Sequence, residues 1–460
     1  MPPSQFWIVC KRPENVDPLD GMPKLPTCPG QFSPGTHFML EQMATMNGNP
    51  HSFLWKEEEK LVHELIHAFE HVFAWDKSEK GMFLEDYFDP VLIAAMEHIP
   101  WILPSIPIPQ GLWDCIIAII KDRIASGVIK PSNAAYHSRW FRVLEKDGKS
   151  LQIVHDLQPL NAISIKDSAV PPVVKPYAKS FAGHGCYSVF DLFMPLEMFQ
   201  LTCIPIGCTN SQQIQHGNIT FLLQDGIPHI TQPFVNNVPV CGTKTQYKLP
   251  NRGYKTILDN PGICRLIWEH LTNCARILQH IGHAGGTFSG PKAQIAVPEA
   301  VIVGHLCCYE GCKPLPNQVQ KVLNWPIPKD VTGICGFMGV VGTLWMFIKD
   351  LAIHAEPLIR LVCCKIPFEF GVEQLMAMEK LKYLVKICAA ICPIDYDSQN
   401  EVILAVDSLV LAVRDILSQM GDNNLCYPSH YGLITWNETK RWYSQAKIKL
   451  FGLLRALKDI

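Results

Sequence analysis

Residues 140–161 read WFRVLEKDGKSLQIVHDLQPLN and contain a strong local folding signal. Two runs rich in apolar and β-branched side chains, residues 139–144 and 150–156, flank the pair Asp147–Gly148. An Asp-Gly pair between two such runs is typical of a β-hairpin, because both residues tolerate the positive φ that the tight turn requires. We therefore predict a two-stranded antiparallel hairpin here.

Apolar residues recur with a helical period on both sides of this hairpin and predict helices at residues 57–73, 112–126, 316–324, 331–348 and 374–387. Residues 229–240 resemble a second hairpin with Asn236–Asn237 at its tip, and residues 402–406 form an apolar run typical of a buried strand. Helices mixed with strands in this order predict an α+β chain. Residues 1–50 lack periodicity and are rich in Pro, Gly and Asn, which predicts a linker or a mobile arm.

Composition limits the function classes that fit this chain. Hydrophobic residues make up 48% and charged residues 18%, which argues against wholesale disorder. The formal net charge is −2, so any affinity for nucleic acid has to come from local basic patches. The 18 cysteines and the missing signal-peptide pattern predict an intracellular protein, in cytoplasm or nucleus, that is not secreted. Residues 331–348 are uncharged, but their glycines favour a buried helix over a membrane span.

Several segments, taken together, resemble the Pol polyprotein of gypsy-type (Metaviridae) LTR retrotransposons, in its reverse transcriptase and RNase H region. Residues 140–161 resemble the fingers strands, and Phe190–Asp191–Leu192 resembles the palm strand that carries a metal-binding aspartate. Residues 205–211 (PIGCTNS) and 234–238 (FVNNV) are similar to the family's Pro-x-Gly-Trp-x-Asn-Ser turn and its aromatic-x-Asp-Asp hairpin. Residues 402–407 (VILAVD) look like the first strand of an RNase H domain.

The resemblance implies a right-hand polymerase-like lobe of fingers, palm and thumb, followed by a truncated RNase H-like α/β lobe. It implies an N-terminal linker or arm with one amphipathic helix at residues 1–89, and fingers and palm with an internal deletion at 90–305. Thumb and connection follow at residues 306–395, and the truncated RNase H-like domain at 396–460. The family is an RNA-directed DNA polymerase that uses Mg²⁺ and acts on an RNA or DNA template-primer.

The resemblance also implies a damaged polymerase centre. Asp191 matches a metal ligand, but the family's paired aspartates are replaced by Asn236 and Asn237, whose amides carry no formal charge. Two-metal catalysis needs carboxylates that hold both Mg²⁺ ions. The stretch between Asp191 and Asn236 is also too short, by roughly two or three short strands. We expect a malformed palm sheet and no polymerase activity, so that the chain is a degenerate copy.

Nucleotide contacts are reduced as well. The family's triphosphate-binding arginine falls on Gln152, whereas Lys146 and Lys149 remain as candidate phosphate contacts and Lys292 matches the palm lysine. Without the resemblance, these lysines would be interpreted as solvated surface residues. A non-catalytic nucleic-acid-binding protein that uses the same three lysines is the alternative function.

The RNase H segment shows comparable losses. Asp407 matches a metal-binding aspartate of the family, whereas Lys449 stands where the family has a glutamate. Arg414 stands where the family has a glycine. We expect no nuclease activity.

Two zinc interpretations remain as remote alternatives. His63-Glu64-Leu65-Ile66-His67 is an H-E-x-x-H motif on a predicted helix, the pattern of a zinc metalloprotease; candidates for the third ligand are His71, Glu85 and Asp86. The bland interpretation of this motif is a solvated helix face. A second cluster, His305, Cys307, Cys308 and Cys312, lacks the second ligand pair of a structural zinc site.

Overall fold

A computed structural model describes residues 17–46, 49, 52–84, 86–88, 93–125, 135–144, 151–167, 172–193, 207–250, 253–362, 367–408, 412–421, 424–436 and 442–459. The chain divides into two compact units. The first comprises Met1–Pro172, Tyr187–Thr243 and Tyr247–Val297; the second comprises Val173–Cys186, Lys244–Gln246 and Pro298–Ile460.

The helices are, in chain order, α1 (Leu40–Thr45), α2 (Lys56–Ala68), α3 (Trp113–Ala125), α4 (Gln158–Ile163), α5 (Val174–Ser180), α6 (Ser211–Leu222), α7 (Arg265–His283), α8 (Pro316–Leu323), α9 (Val331–Thr343), α10 (Leu351–Arg360), α11 (Val372–Lys386) and α12 (Gln445–Asp459). The strands are β1 (Phe73–Ala74), β2 (Trp140–Leu144), β3 (Leu151–His155), β4 (Tyr187–Asp191), β5 (Asn237–Cys241), β6 (Phe288–Ser289), β7 (Gln294–Val297), β8 (Glu299–Ile302), β9 (His305–Cys308), β10 (Gly311–Pro314), β11 (Val402–Ser408), β12 (Ala412–Met420) and β13 (Cys426–Thr435).

The core of the first unit is the antiparallel sheet β5-β4-β7. The central strand β4 is apolar and nearly fully buried, as its sequence YSVFD requires. The long helix α7 contacts β5 and β7 and buries an apolar stripe that includes Leu271 and Leu278, both 0% exposed. The pairing of β4 with β5 runs without a register shift from Tyr187 opposite Cys241 to Asp191 opposite Asn237. The pairing of β4 with β7 has a register shift between Tyr187 and Val189. The expected malformation of the palm sheet, which concerned a missing strand, stays a prediction.

The hairpin predicted at residues 139–156 is confirmed as β2 and β3, which pair from Trp140 opposite His155 to Leu144 opposite Leu151. Its turn, residues 145–150, lies outside the described residues. The predicted helix at 57–73 ends earlier, at Ala68. A short 3₁₀ turn follows, and Phe73 then begins β1, which pairs in parallel with β6. Long-range strand pairing here overrides the local helical period.

The N-terminal segment is more ordered than its composition predicts. The backbone N–H groups of Thr36, His37 and Phe38 donate hydrogen bonds of 3.0–3.2 Å to the carboxylate of Glu70. The N–H of Gly30 donates to Glu64 Oε1 over 3.3 Å. Phe38 is 1% exposed. The composition of residues 1–50 predicts a linker, but the described part from residue 17 to 46 lies against the first unit.

The longest continuous part of the second unit is Pro298–Ile460. It begins with the antiparallel sheet β10-β9-β8, which the helices α8 to α11 follow. Three of the predicted helices are confirmed here as α8, α9 and α11. Asp330 caps the N-terminus of α9, because its carboxylate accepts a hydrogen bond of 2.7 Å from the N–H of Gly333. It buries Ile334, Phe337 and Val341 completely. Of the helices in the described residues, none has the length and apolarity needed to span a membrane.

The C-terminal part of the second unit is the antiparallel sheet β11-β12-β13 with α12 packed against β11 and β12. Its small core consists of Val413, Trp436 and Ile448. The predicted strand at 402–406 is confirmed, but its predicted complete burial is wrong, because Val402 is 49% exposed. Val406 packs against this small core, whereas Ala405 and Asp407 are exposed.

Candidate functional site

The end of β4 and the start of β5 bring the predicted polymerase residues together. Asp191 is the last residue of β4 and lies opposite Asn237, the first residue of β5. The tight turn before β5 is closed by hydrogen bonds of 2.8 and 2.9 Å between Phe234 and Asn237. Val235, within this turn, has a φ of 57°. The second predicted hairpin is thus confirmed, with Asn236 at its tip and beside Asp191.

Both oxygens of the Asp191 carboxylate are engaged. Oδ1 accepts a hydrogen bond from the side-chain amide of Asn236, and Oδ2 lies 2.6 Å from Nζ of Lys292. Lys292 ends the short 3₁₀ turn Gly290–Lys292, which follows β6. The side chain of Asp191 is 18% exposed and that of Lys292 is 65% exposed. Asp191 is therefore held in a partly buried ion pair.

This set of side chains does not fit a pair of dications. Around Asp191 the turn supplies two neutral amides and the lysine supplies a positive charge, so the local charge sums to about zero. Asn237 Oδ1 is buried without a hydrogen-bond partner in the described part of the chain. Among the described residues, no group of three or more His, Cys, Asp or Glu side chains could hold a metal ion. Mg²⁺ prefers negatively charged oxygen ligands, and here it would have to displace an ammonium group.

Of the remaining predicted nucleotide contacts, only Gln152 lies among the described residues. Gln152 lies in β3, where its backbone pairs with Val143, but its side chain is not among the described ones. Lys146 and Lys149 lie outside the described residues.

The RNase H-like residues form a separate site in the second unit. Asp407 on β11 lies opposite Arg414 on β12, and the two side chains form an ion pair. The guanidinium of Arg414 also lies 3.1 Å from Oδ2 of Asp350, whose side chain is 15% exposed. Hydrogen bonding to Asp407 raises the pKa of Arg414 further above its ordinary value. Lys449 is exposed on α12. Arginine thus takes the position beside Asp407 that a metal would need.

The H-E-x-x-H helix has a different role from either interpretation of its sequence. The ring of His63 is half-buried and contacts Phe32 edge-on, with 5.7 Å between the ring centroids. Burial lowers the pKa of His63, and Glu59 opposes this shift. Glu64 accepts from the backbone of Gly30, as described above. The interpretation of a solvated helix face is wrong for these two residues, because they bind the N-terminal segment.

The cysteines of the second candidate zinc cluster are buried on the hairpin formed by β9 and β10. Cys307 on β9 lies opposite Cys312 on β10, and both are 0% exposed. Hydrogen bonding to Cys312 and burial raise the pKa of Cys307. The Sγ of Cys307 donates to the carbonyl of Ala178, and that of Cys308 donates to Gly311. Protonated thiols that donate to carbonyls are poor metal ligands.

Two asparagines of the family landmarks have a structural role that the sequence did not reveal. Asn161 donates to the carbonyl of Gly207 over 2.9 Å and accepts from the N–H of Thr209 over 2.8 Å. Asn210 donates to the carbonyl of Ile165 over 2.7 Å. These bonds join the end of α4 to the turn before α6. The only sign of these hydrogen bonds in the sequence is that both motifs contain an asparagine.

A buried polar cluster behind β4 was also missed. The hydroxyl of Ser188 lies 2.7 Å from Nε2 of His270 and accepts from the N–H of Ala296 over 2.9 Å. Cys274 Sγ donates to the same hydroxyl over 3.3 Å. Ser188, His270 and Cys274 are all 0% exposed. A serine–histidine pair without access to solvent joins α7 to the sheet and is not a nucleophile.

Known proteins resemble this chain over most of its length. No protein-family model matches it. The Tf2-7 transposon polyprotein of Schizosaccharomyces pombe is 21% identical over 365 residues, which cover 76% of this chain and 26% of that polyprotein. The Tf2-3 polyprotein of the same organism is 21% identical over 369 residues. The chain thus spans about a quarter of the length of the curated relatives it matches.

Solved structures share the fold. A foamy viral protease-reverse transcriptase in complex with dsDNA has a TM-score of 0.74 and 15% identity, and the match covers 93% of this chain and 87% of that chain. A second foamy viral structure, in complex with an RNA/DNA hybrid, has a TM-score of 0.69 and 14% identity, and the match covers 91% and 55% of the two chains. This chain is thus similar to retroelement Pol polyproteins. The predicted α+β, right-hand polymerase-like fold is confirmed.

Proposed function

We propose that this Pol segment is a reverse transcriptase that has lost polymerase activity. The observation that carries the proposal is the ion pair between Asp191 and Lys292, 2.6 Å apart, beside the turn that contains Asn236 and Asn237. In the two-metal mechanism, carboxylates hold divalent cations that activate the primer hydroxyl and neutralise the triphosphate. A single carboxylate that is already neutralised by a lysine does not supply the negative charge that either cation needs.

The size of the expected loss follows from transition-state arithmetic. Each 1.36 kcal/mol of lost stabilisation slows the reaction about tenfold. Absence of two metal-bound carboxylates removes several kcal/mol, so that the rate falls by about a thousandfold or more. Such a rate does not support synthesis of a DNA strand.

Primer extension tests this proposal. The full chain is incubated with an RNA template, a labelled DNA primer and all four nucleotides, in Mg²⁺ and separately in Mn²⁺. A gypsy-type reverse transcriptase with intact aspartates is the positive control. We expect no extension above the protein-free blank. Extension that disappears in Asp191→Asn would show a working centre and would overturn the proposal, whereas extension that persists in that variant would indicate a contaminating polymerase.

A second function, binding of duplex nucleic acid without catalysis, is favoured by the structural neighbours. The foamy viral enzymes were solved with dsDNA and with an RNA/DNA hybrid, and the match covers more than nine-tenths of this chain. We propose that this chain binds an RNA/DNA template-primer through its lysines, including Lys146, Lys149 and Lys292. The metal that the family uses is not required for this role.

Fluorescence anisotropy of a labelled primer-template measures this binding at low and moderate salt. We expect affinity that falls steeply with salt, because bound cations release counterions. Lys146→Gln combined with Lys149→Gln should reduce the salt slope by about two. The control variant, Lys24→Gln with Lys56→Gln, removes the same charge from exposed positions and should leave the slope unchanged. No binding at either salt concentration would refute this function and would leave the proposal of a lost polymerase intact.

A further inference from the structure

The second unit contains a cavity that none of the candidate sites uses. Its volume is about 1090 Å³, and it lies between α5, the β9–β10 turn and strands β12 and β13. All of its lining residues belong to the second unit. Sites for small molecules have volumes of about 300–1,000 Å³, so this cavity is large enough for one.

Several aromatic side chains line the cavity. Tyr309, from the β9–β10 turn, is 41% exposed, and Tyr427, from β13, is 39% exposed. Trp345 and His430 also line the cavity and contact each other edge-on, with 6.3 Å between their ring centroids. Partly exposed rings around a concave surface provide stacking contacts for a planar apolar group.

One cation of the cavity lining forms no ion pair with a carboxylate among the described residues. Lys179, on α5, is half-buried and lines the cavity. The two carboxylates of the lining are already engaged: Glu310 lies 3.3 Å from Lys313, and Asp395 lies 3.8 Å from Lys244. Burial lowers the pKa of Lys179 below its ordinary value, and the nearby thiols oppose this shift only in part. A half-buried ammonium without a counter-charge among the described residues favours an anion beside it.

A buried hydroxyl adds a second polar group to the lining. Ser429 is 2% exposed, and its Oγ has no hydrogen-bond partner within the described part of the chain. Buried polar groups in folded proteins are nearly always hydrogen-bonded, so an unpartnered one in a cavity lining indicates a missing partner.

We propose that this cavity binds a small anionic aromatic molecule, whose negative group contacts Lys179 and whose ring lies against Tyr309 and Tyr427. The inference does not depend on the polymerase or nucleic-acid proposals, because Asp191, Asp407 and the predicted phosphate-binding lysines are absent from the lining.

Two fluorescent probes of similar shape test the role of charge. Anilinonaphthalene sulfonate is anionic and aromatic, and phenylnaphthylamine is its uncharged counterpart. We expect the full chain to bind the sulfonate with one-to-one stoichiometry. Lys179→Gln should weaken sulfonate binding at least about tenfold and leave phenylnaphthylamine binding unchanged, since only the sulfonate makes a charge-assisted contact. Lys179→Met, which keeps the apolar stem, should give the same result.

The control variant is Lys321→Gln, which removes an exposed lysine of α8 outside the lining and should leave both affinities unchanged. The melting temperature of each variant verifies that it is folded. An unchanged sulfonate affinity in Lys179→Gln, or an equal loss for both probes, would overturn the proposal. Competition with adenosine monophosphate and with indole acetate then distinguishes a phosphate from a carboxylate ligand. Displacement of the sulfonate by either supports the proposal, and displacement by neither contradicts it.

Discussion

The ammonium group of Lys292 lies 2.6 Å from Oδ2 of Asp191, although the two residues are 101 positions apart in the chain. The ion pair forms because β4 ends at Asp191 and the turn after β6 places Lys292 beside that end. A carboxylate that is paired with an ammonium and hydrogen-bonded to an amide has little remaining capacity for a dication. This relationship connects the loss of the paired aspartates with a site that is now stabilised as a neutral cluster.

The double variant Asn236→Asp with Asn237→Asp tests how far the centre can be repaired. We expect that it does not restore primer extension, because Lys292 still neutralises Asp191 and because the resemblance places Gln152 where the family has an arginine. The measurement is extension of a labelled primer over several hours. Robust extension by this variant would contradict the view that the surrounding scaffold, and not only the two amides, prevents catalysis.

Removal of Lys292 from that double variant should change metal binding. Lys292→Gln takes away a positive charge next to three carboxylates, so we expect Mn²⁺ to bind about tenfold more tightly than to the double variant alone. Electron paramagnetic resonance of free Mn²⁺ measures this affinity. In the natural background, Lys292→Gln should cost at most about 1 kcal/mol of unfolding free energy, because the lysine is 65% exposed. Equal Mn²⁺ affinities of the double variant and of the triple variant that also carries Lys292→Gln would show that Lys292 does not control the site.

Arg414 should contribute more to stability than a typical surface arginine. It joins Asp407 to the partly buried Asp350, whose side chain is 15% exposed. We expect Arg414→Ala to lower the free energy of unfolding of the second unit by about 1–3 kcal/mol, as measured by urea denaturation. Arg360→Ala is the matched control, because Arg360 also contacts two carboxylates, Glu356 and Glu373, but all three side chains are about half exposed. It should cost clearly less than Arg414→Ala, because solvent screens exposed ion pairs. Equal losses would mean that the contact with Asp350 adds nothing.

Glu70 should make the attachment of the N-terminal segment depend on pH. Burial raises the pKa of Glu70, but the hydrogen bonds from Thr36, His37 and Phe38 more than offset this and lower it from 4.5 to about 2. A carboxylate with a lowered pKa in the folded state contributes stability that is fully present above its unfolded value. This contribution should therefore be constant above pH 4.5 and should be lost as the pH falls toward 2.

The variant Glu70→Gln isolates this contribution at neutral pH. We expect it to cost about 1–3 kcal/mol and to expose residues 17–46 to limited proteolysis, because three backbone N–H groups lose a charged acceptor. Glu41→Gln is the control, since Glu41 is exposed and its side chain makes no described hydrogen bond to the segment. Proteolysis at the same rate in both variants would show that Glu70 does not hold the segment in place.

Local elements were predicted well where hydrophobic period and turn chemistry agree. The hairpin of β2 and β3 and the helices α8, α9 and α11 follow from patterns within about twenty neighbouring residues. The predictions failed where a distant partner decided the outcome. Phe73 has a helical position in the sequence, yet it forms β1 because Phe288 is available as a strand partner. The N-terminal segment lacks any periodic pattern, yet the carboxylate of Glu70, in the 3₁₀ turn after α2, accepts hydrogen bonds from its backbone.

The sequence by itself determined the family resemblance, the order of helices and strands, and the chemical identity of the candidate site residues, because these depend on residue types and short spacings. Asn236, Asn237 and Lys449 cannot supply a negative charge in any fold. Only the tertiary structure decided which groups neutralise which carboxylates. The pairing of Asp191 with Lys292 and of Arg414 with Asp350 arises from contacts between segments far apart in the chain. Such contacts depend on the packing of whole elements, which no local pattern encodes.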